Sequence, residues 1–342
     1  MLTKKQITLA QIITLIILAV IVSIFSANRS DKKVFRNDTH AYYSHYNCST
    51  SLDKIAKCKR EIGSSTYEIG YDVLPVFFQN LLGGETFWYY KLFIALFINI
   101  GILVTAYLLS NRSLLPPFLI LLDYRFYAFS SNIIRHGLAL TLSLISVYVF
   151  LNRKKISSLL LTLLAMMFHN SAFAFLIKTK VKINGVILLF ILALSFSTVQ
   201  YLPELIMANK ELLFGFNEKL IGYSENYGSE SIIFPLHYFF VMVIGVFFYK
   251  KTKKEDYVVI YNSLFVLVLL SIAFSAIGIA DRIIAFMTPL VYVLFYYIYR
   301  ESLELLNKKS HKYYFLLYYI IIIFGLFILF IRNLDMLFVH LN

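Results

Sequence analysis

Apolar runs close to the length of a bilayer crossing recur from one end of this chain to the other, and nothing else limits its fold as much. They cover Ile7 to Ala27, Trp88 to Ser110, Leu114 to Phe129, Ile133 to Leu151, Gly185 to Tyr201, Ile232 to Tyr249, Val258 to Ile279, Ile283 to Tyr299 and Tyr313 to Ile331. An α-helix needs about 20 apolar residues to cross the hydrocarbon, and only helices or closed barrels satisfy their backbone groups there. Continuous apolar runs of this length, without strict alternation, read as helices. The polar breaks between them leave no room for a soluble domain of useful size. The expected fold is all-α: one polytopic membrane domain over residues 1–342, with about 9 to 11 transmembrane helices. Two further apolar pieces, Val73 to Leu82 around Pro75 and Leu159 to Ile177, are expected as re-entrant or broken segments. A composition 59% hydrophobic and only 15% charged agrees with this reading. The first run follows Lys4 and Lys5 as in a signal peptide, but it is long and lacks a small-x-small cleavage site, so it reads as a retained anchor.

The formal net charge of +13 would suggest nucleic acid as a partner of a soluble protein. Here most of the positive charge sits in short loops, where it reports topology, because Lys and Arg stay on the cytoplasmic side. Lys4 and Lys5 place the amino terminus inside, and so do Arg153 to Lys155, Lys178 to Lys182, Lys250 to Lys254 and Lys308 to Lys312 for their loops. The segments 28–72 and 202–231, the turn at Tyr124 to Asn132 and the turn at Ala280 to Arg282 then face outward. One feature runs against this threading: Asn28 to Gly70 holds eight Lys and Arg against five Asp and Glu. Leu159 to Ile177 has basic clusters on both flanks, so a full crossing would put one of them on the wrong side. A hairpin of two half-helices of roughly ten residues removes the conflict, bending at His169, Asn170 and Ser171 in mid-membrane. The other reading is a full span in which His169 bonds a neighbouring helix. Ionisable groups at that depth are costly and point to function.

Several residues carry usable chemistry. In the outer segment, Asp38, Tyr42, His45 and Tyr46 share one face of a helix, and Glu68, Tyr71 and Asp72 share another. The alternative is an amphipathic helix lying on the membrane surface. Arg125, Arg135 and Arg282 fall at or just inside the outer ends of expected helices, and guanidinium groups fork onto phosphate oxygens. Asp281 offers Arg282 an ion pair, and Arg125 suits an interface position, whereas Arg135 has no acidic residue within reach on its own helix. Cys48 and Cys58 share the outer segment as a disulfide or as two thiols. The sequence has no Walker motif, no dinucleotide fingerprint and no metal-ligand spacing, so no cofactor and no metal is expected. The substrate must arrive activated, or an ion gradient must drive the process.

The strings "IIRHGLALTLSL" and "AMMFHNSAFAFL", with "NDTHAYYSHY", "YEIGYDVL" and "ADRIIAFMTPL" in the same order, resemble the EpsG-like family of bacterial polysaccharide polymerases, relatives of the O-antigen polymerase Wzy. The resemblance implies a membrane glycosyltransferase of the bacterial inner membrane. It would join repeat units linked to undecaprenyl diphosphate, for O-antigen, exopolysaccharide or capsule, at a site facing the periplasm or exterior. Its partners would be a lipid-linked donor and acceptor, with a flippase and a chain-length regulator in the same assembly line and no nucleic acid. Arg135, His169 and Arg282 are the carry-overs. In the chemistry this implies, Arg135 and Arg282 hold the diphosphate with Arg125 in support, Tyr42, Tyr71 and Asp281 line the substrate, and His169, Asp38 and Glu68 compete as base. His169 as a phosphate ligand or an orienting group also stays open. An O-antigen ligase uses the same donor with another acceptor. A flippase would show internal repeats, and an acyltransferase would place its histidine early in the chain.

Overall fold

The structure is a computed structural model, and it describes residues 4–29, 39–55, 57–58, 68–82, 87–198, 241–246, 248–249, 252, 254–273 and 280–306. Among them there is no strand, and the chain divides into two compact units, Met1–Leu176 and Ile177–Asn342. Four helices among the described residues are long and apolar enough to cross a membrane: Gln6–Ala27, Phe87–Leu109, Ile134–Leu151 and Glu255–Ile272. The expected all-α membrane architecture is therefore what the chain adopts. The segment 202–231 and the run Tyr313 to Ile331 lie outside the described residues.

In the first unit, α1 (Lys4–Ala27) and α4 (Phe87–Leu109) run antiparallel. Three hydrogen bonds set their register: Tyr107 to Gln11, Asn99 to Ser23 and Trp88 to Asn28. Next comes α7 (Ile134–Leu151), parallel to α4, and α8 (Lys155–Phe168), which returns along it. The close approach of α4 and α7 depends on two glycines. A Cβ at Gly137 would lie 2.5 Å from the Phe129 carbonyl oxygen and 2.7 Å from Ile98 Cδ1, and one at Gly101 would overlap the Thr141 methyl. A polar seam joins α7 to α8: the Ser158 hydroxyl donates to the Ser146 carbonyl and Thr162 to the Ser146 hydroxyl. In a membrane such bonds hold helices together where burial against lipid supplies no drive.

Sequence pattern suggested one span over Leu114 to Phe129 followed by a turn at Tyr124 to Asn132; the structure has two short helices instead. α5 (Leu115–Leu121) begins with Pro116 and Pro117, and α6 (Tyr124–Ser131) begins at the Asp123 cap. The Asp123 carboxylate accepts from the Arg125 N–H at 2.9 Å, which starts a new helix inside the apolar run. The pair still connects the two ends of the unit. α5 follows the tight turn after α4, and α6 ends beside α1, where Ser130 bonds Ser26 and the Arg29 guanidinium bonds Ser131. The turns after α4 and α7 share one signature: Arg112 and Arg153 adopt positive φ, and the Arg112 and Lys154 amides reach back to Tyr107 and Val149. Arg112 and Arg153 to Lys155 thus share one end of the unit.

The opposite end carries the outer segment. α2 (Thr39–Cys48) leads to a disulfide between Cys48 and Cys58, Cα atoms 5.4 Å apart, which settles the alternative left open above. α3 (Ile69–Leu82) follows and packs on α2 and α8. The alternative of a surface-lying helix does not hold: Tyr42, His45 and Tyr46 of α2 and Tyr71 and Asp72 of α3 are all buried.

In the second unit, α9 (Gly185–Thr198), α10 (Glu255–Ala273) and α11 (Ala280–Leu306) pack in sequence. Lys180 pairs with Glu255, Lys182 donates to the Thr252 carbonyl, and Lys254 pairs with Glu301 and Glu304. Lys180, Lys182 and Lys254 therefore share one end of this unit, as the charge pattern required. Because α10 and α11 are antiparallel, the first turn of α11, with Asp281 and Arg282, belongs to its other end.

Candidate functional site: the Arg135 end of the first unit

Three helix termini form the site: the start of α3, the start of α7 and the end of α8. They meet because Gly70 sits against the end of α8, where a Cβ would lie 2.9 Å from the Met167 carbonyl oxygen. That contact brings Glu68, two residues before Gly70, and His169, two residues after Met167, to the helix that opens with Arg135 and His136.

Arg135 is the centre. Its Nη1 lies 2.6 Å from Glu68 Oε2, with side chains 17% and 15% exposed. The pair spans 67 residues of sequence. The Tyr42 phenol oxygen accepts a further hydrogen bond from the guanidinium, and the Tyr71 ring lies beneath it, 6.0 Å from Cζ to the ring centroid. Tyr71 is itself wedged between Tyr42, at 5.3 Å, and the His45 ring, stacked at 5.6 Å. Behind it His45 Nε2 lies 3.3 Å from Asp72 Oδ1, both side chains withdrawn from solvent. An acid and two phenols therefore hold one guanidinium in a fixed orientation, with the His45–Asp72 pair behind them, and a planar cation so held can fork onto an oxyanion.

Beside Arg135, the His136 and His169 rings are 3.6 Å apart between centroids. His169 ends α8 in an extended conformation, φ −160° and ψ 125°, and a 3-10 turn over Asn170–Leu176 follows. The chain thus breaks at the polar triplet, as expected. α8 has 14 residues, a rise of about 21 Å, and its end lies level with the first turn of α7. The first expected half-helix of roughly ten residues is a longer helix of 14 residues, which carries His169 to the Arg135 end of the unit.

The other expected residues divide by what is described. Glu68, Tyr42 and Tyr71 join Arg135, a meeting that spacing along single helices did not show. Arg125 stands at the start of α6, its Nε 3.4 Å from the Tyr124 hydroxyl and its guanidinium over the Tyr124 ring. Asp38 lies outside the described residues, and so do the side chains of Asp281 and Arg282. The meeting of Arg282 with Arg135 therefore lies outside what is described. No group of three His, Cys, Asp or Glu among the described residues could hold a metal. His136 and the His45–Asp72 pair were not assigned from sequence. His136 had a signal, an ionisable side chain inside an apolar run, the same signal that Arg135 beside it carries.

A family comparison decides the class: the EpsG family matches residues 12–341, nearly the whole chain. The chain belongs to the EpsG family. That family is associated with polysaccharide polymerisation, so an enzyme of polysaccharide assembly in a membrane is the coarse identity of this EpsG-family chain. Comparison with curated proteins and with solved structures returns no match.

Proposed function

We propose that this chain is a membrane glycosyltransferase that polymerises oligosaccharide repeat units carried on undecaprenyl diphosphate, at the outer face of the bacterial inner membrane. The reading rests most on Arg135, an oriented and mostly buried guanidinium at the end of its unit opposite Arg112 and Arg153 to Lys155. With those basic turns cytoplasmic, the Arg135 end faces outward.

The reaction breaks the bond between the sugar's anomeric carbon and a phosphate oxygen, and the electron pair leaves with the diphosphate. An acceptor hydroxyl bonds the same carbon and gives up its proton. Arg135 would hold the diphosphate oxygens as their charge grows, in a setting of low dielectric where a fixed cation acts strongly. Glu68 and Tyr42 keep the guanidinium aimed when no substrate is present. Arg282, by the family resemblance, would supply a second cation. The acceptor's proton would go to a base of the same cluster, within one hydrogen bond of the acceptor hydroxyl.

The test is purified protein in nanodiscs with a synthetic repeat unit on undecaprenyl diphosphate. A ladder of products differing by one repeat unit is expected. Transfer of a single unit to an unrelated acceptor would mark a ligase, and unchanged substrate would overturn the proposal.

A further inference from the structure

Of the two chemistries open to His169, proton acceptor or hydrogen-bond donor, its surroundings select one. The backbone N–H of Ser171 points at His169 Nδ1, 3.2 Å away. The extended backbone at His169 lets the ring fold back over the following 3-10 turn, as Asp or Asn side chains do when they accept from the amide two residues on. An amide N–H donates only to a lone pair, so Nδ1 is the unprotonated nitrogen of the neutral ring. The ring proton then resides on Nε2. A proton accepted from a substrate would have to enter at Nδ1 and would set two N–H groups against each other. The ring is buried, 6% exposed, with His136 3.6 Å away and next to Arg135 in sequence, so its position is fixed by packing as well.

We propose that His169 acts as a neutral hydrogen-bond donor, presenting Nε2–H to an anionic oxygen of the lipid-linked diphosphate, and is not the base that deprotonates the acceptor. This rests on the polymerase reading of the site and deepens it, adding a third donor group to Arg135 and the expected Arg282. The Ser171 amide is a positioning group that fixes which nitrogen carries the proton. The acceptor's proton passes to another group of the cluster.

The decisive comparison is between H169Q and H169A in the full-length protein. A glutamine amide reaches to about the position of Nε2 and donates an N–H, yet it has no basicity near neutral pH. The probe is undecaprenyl diphosphate without sugar, titrated onto protein in nanodiscs. Loss of a hydrogen bond to a charged group weakens binding by about tenfold or more. H169A is expected to show that loss, with H169Q within about threefold of wild type and still forming a ladder. Equal weakening in both variants, unchanged binding in both, or a ladder lost in H169Q as fully as in H169A would overturn the proposal. Should wild type bind the lipid diphosphate with this ranking but build no ladder from repeat units, the polymerase reading fails and the donor role of His169 stands. A ladder in wild type with equally inactive variants is the reverse case.

Discussion

Arg135 shows how far a single residue's role is legible. Its helix offers no acid within a turn or two, and sequence alone left it without a visible partner; the partner is Glu68, 67 residues earlier. Local spacing cannot predict such a pair, because the fold has to bring α3 onto α8 first. R135A, compared at matched protein levels, is expected to abolish long chains and leave single repeat units on the lipid carrier. R135K should rescue poorly, since an ammonium does not reproduce the fork; chain length on gels reads both. E68Q removes the counter-ion and leaves a mostly buried cation unpaired, which costs about 3 to 5 kcal/mol in comparable sites. Its thermal midpoint should fall along with its activity. At Lys178 burial pulls the ammonium down to about 8 from 10.5. The unfolded chain then binds the proton more tightly between those values, so stability should rise as pH climbs from about 8 towards 10.5. K178M is expected to remove that rise and to stabilise the protein at neutral pH, measured as melting temperature against pH.

At the level of elements, hydropathy located the helices and missed how they start and stop. The run Leu114 to Phe129 passes any apolar window, and only Pro116, Pro117 and the carboxylate of Asp123 mark it as two pieces. Asp123 caps α6 within that run, and its replacement by Ala should cost about 1 kcal/mol. The break at the polar triplet was legible, but the length of the helix before it was not, because loop charge fixes sides and not lengths. The contact of α7 with α4 and the α6 end depends on Gly137, where the obstructing atoms are a backbone carbonyl and a packed isoleucine. G137A is expected to destabilise by about 1 to 3 kcal/mol through overpacking, read from thermal unfolding in detergent. It should also lower activity, because Gly137 lies two residues from Arg135.

For the whole molecule, the charge pattern was the most informative signal. The basic turns of the first unit gather at one end and the Arg135 cluster at the other; in the second unit Lys180, Lys182 and Lys254 gather at one end, with the first turn of α11 at the other. The same pattern predicts sidedness. A cysteine at Asn28, exposed at the end of α1, should react with an impermeant thiol reagent from outside intact cells, and one at Ser157 should not. Labelling of both would refute the orientation. What sequence could not supply was the packing of Tyr42, His45, Tyr71 and Asp72 around one guanidinium. Spacing shows that residues share a helix face, not which neighbour that face meets.

The bridge between Cys48 and Cys58 has a bearing on when the enzyme becomes competent. It closes the carboxyl end of α2, the helix that delivers Tyr42 and His45 to Arg135, and thiols join readily only where the compartment is oxidising. On the proposed outward orientation, a newly made chain still on the ribosome's side of the membrane would not yet have this closure. Maturation would wait for export, and premature glycan synthesis inside the cell would be avoided without any separate inhibitor.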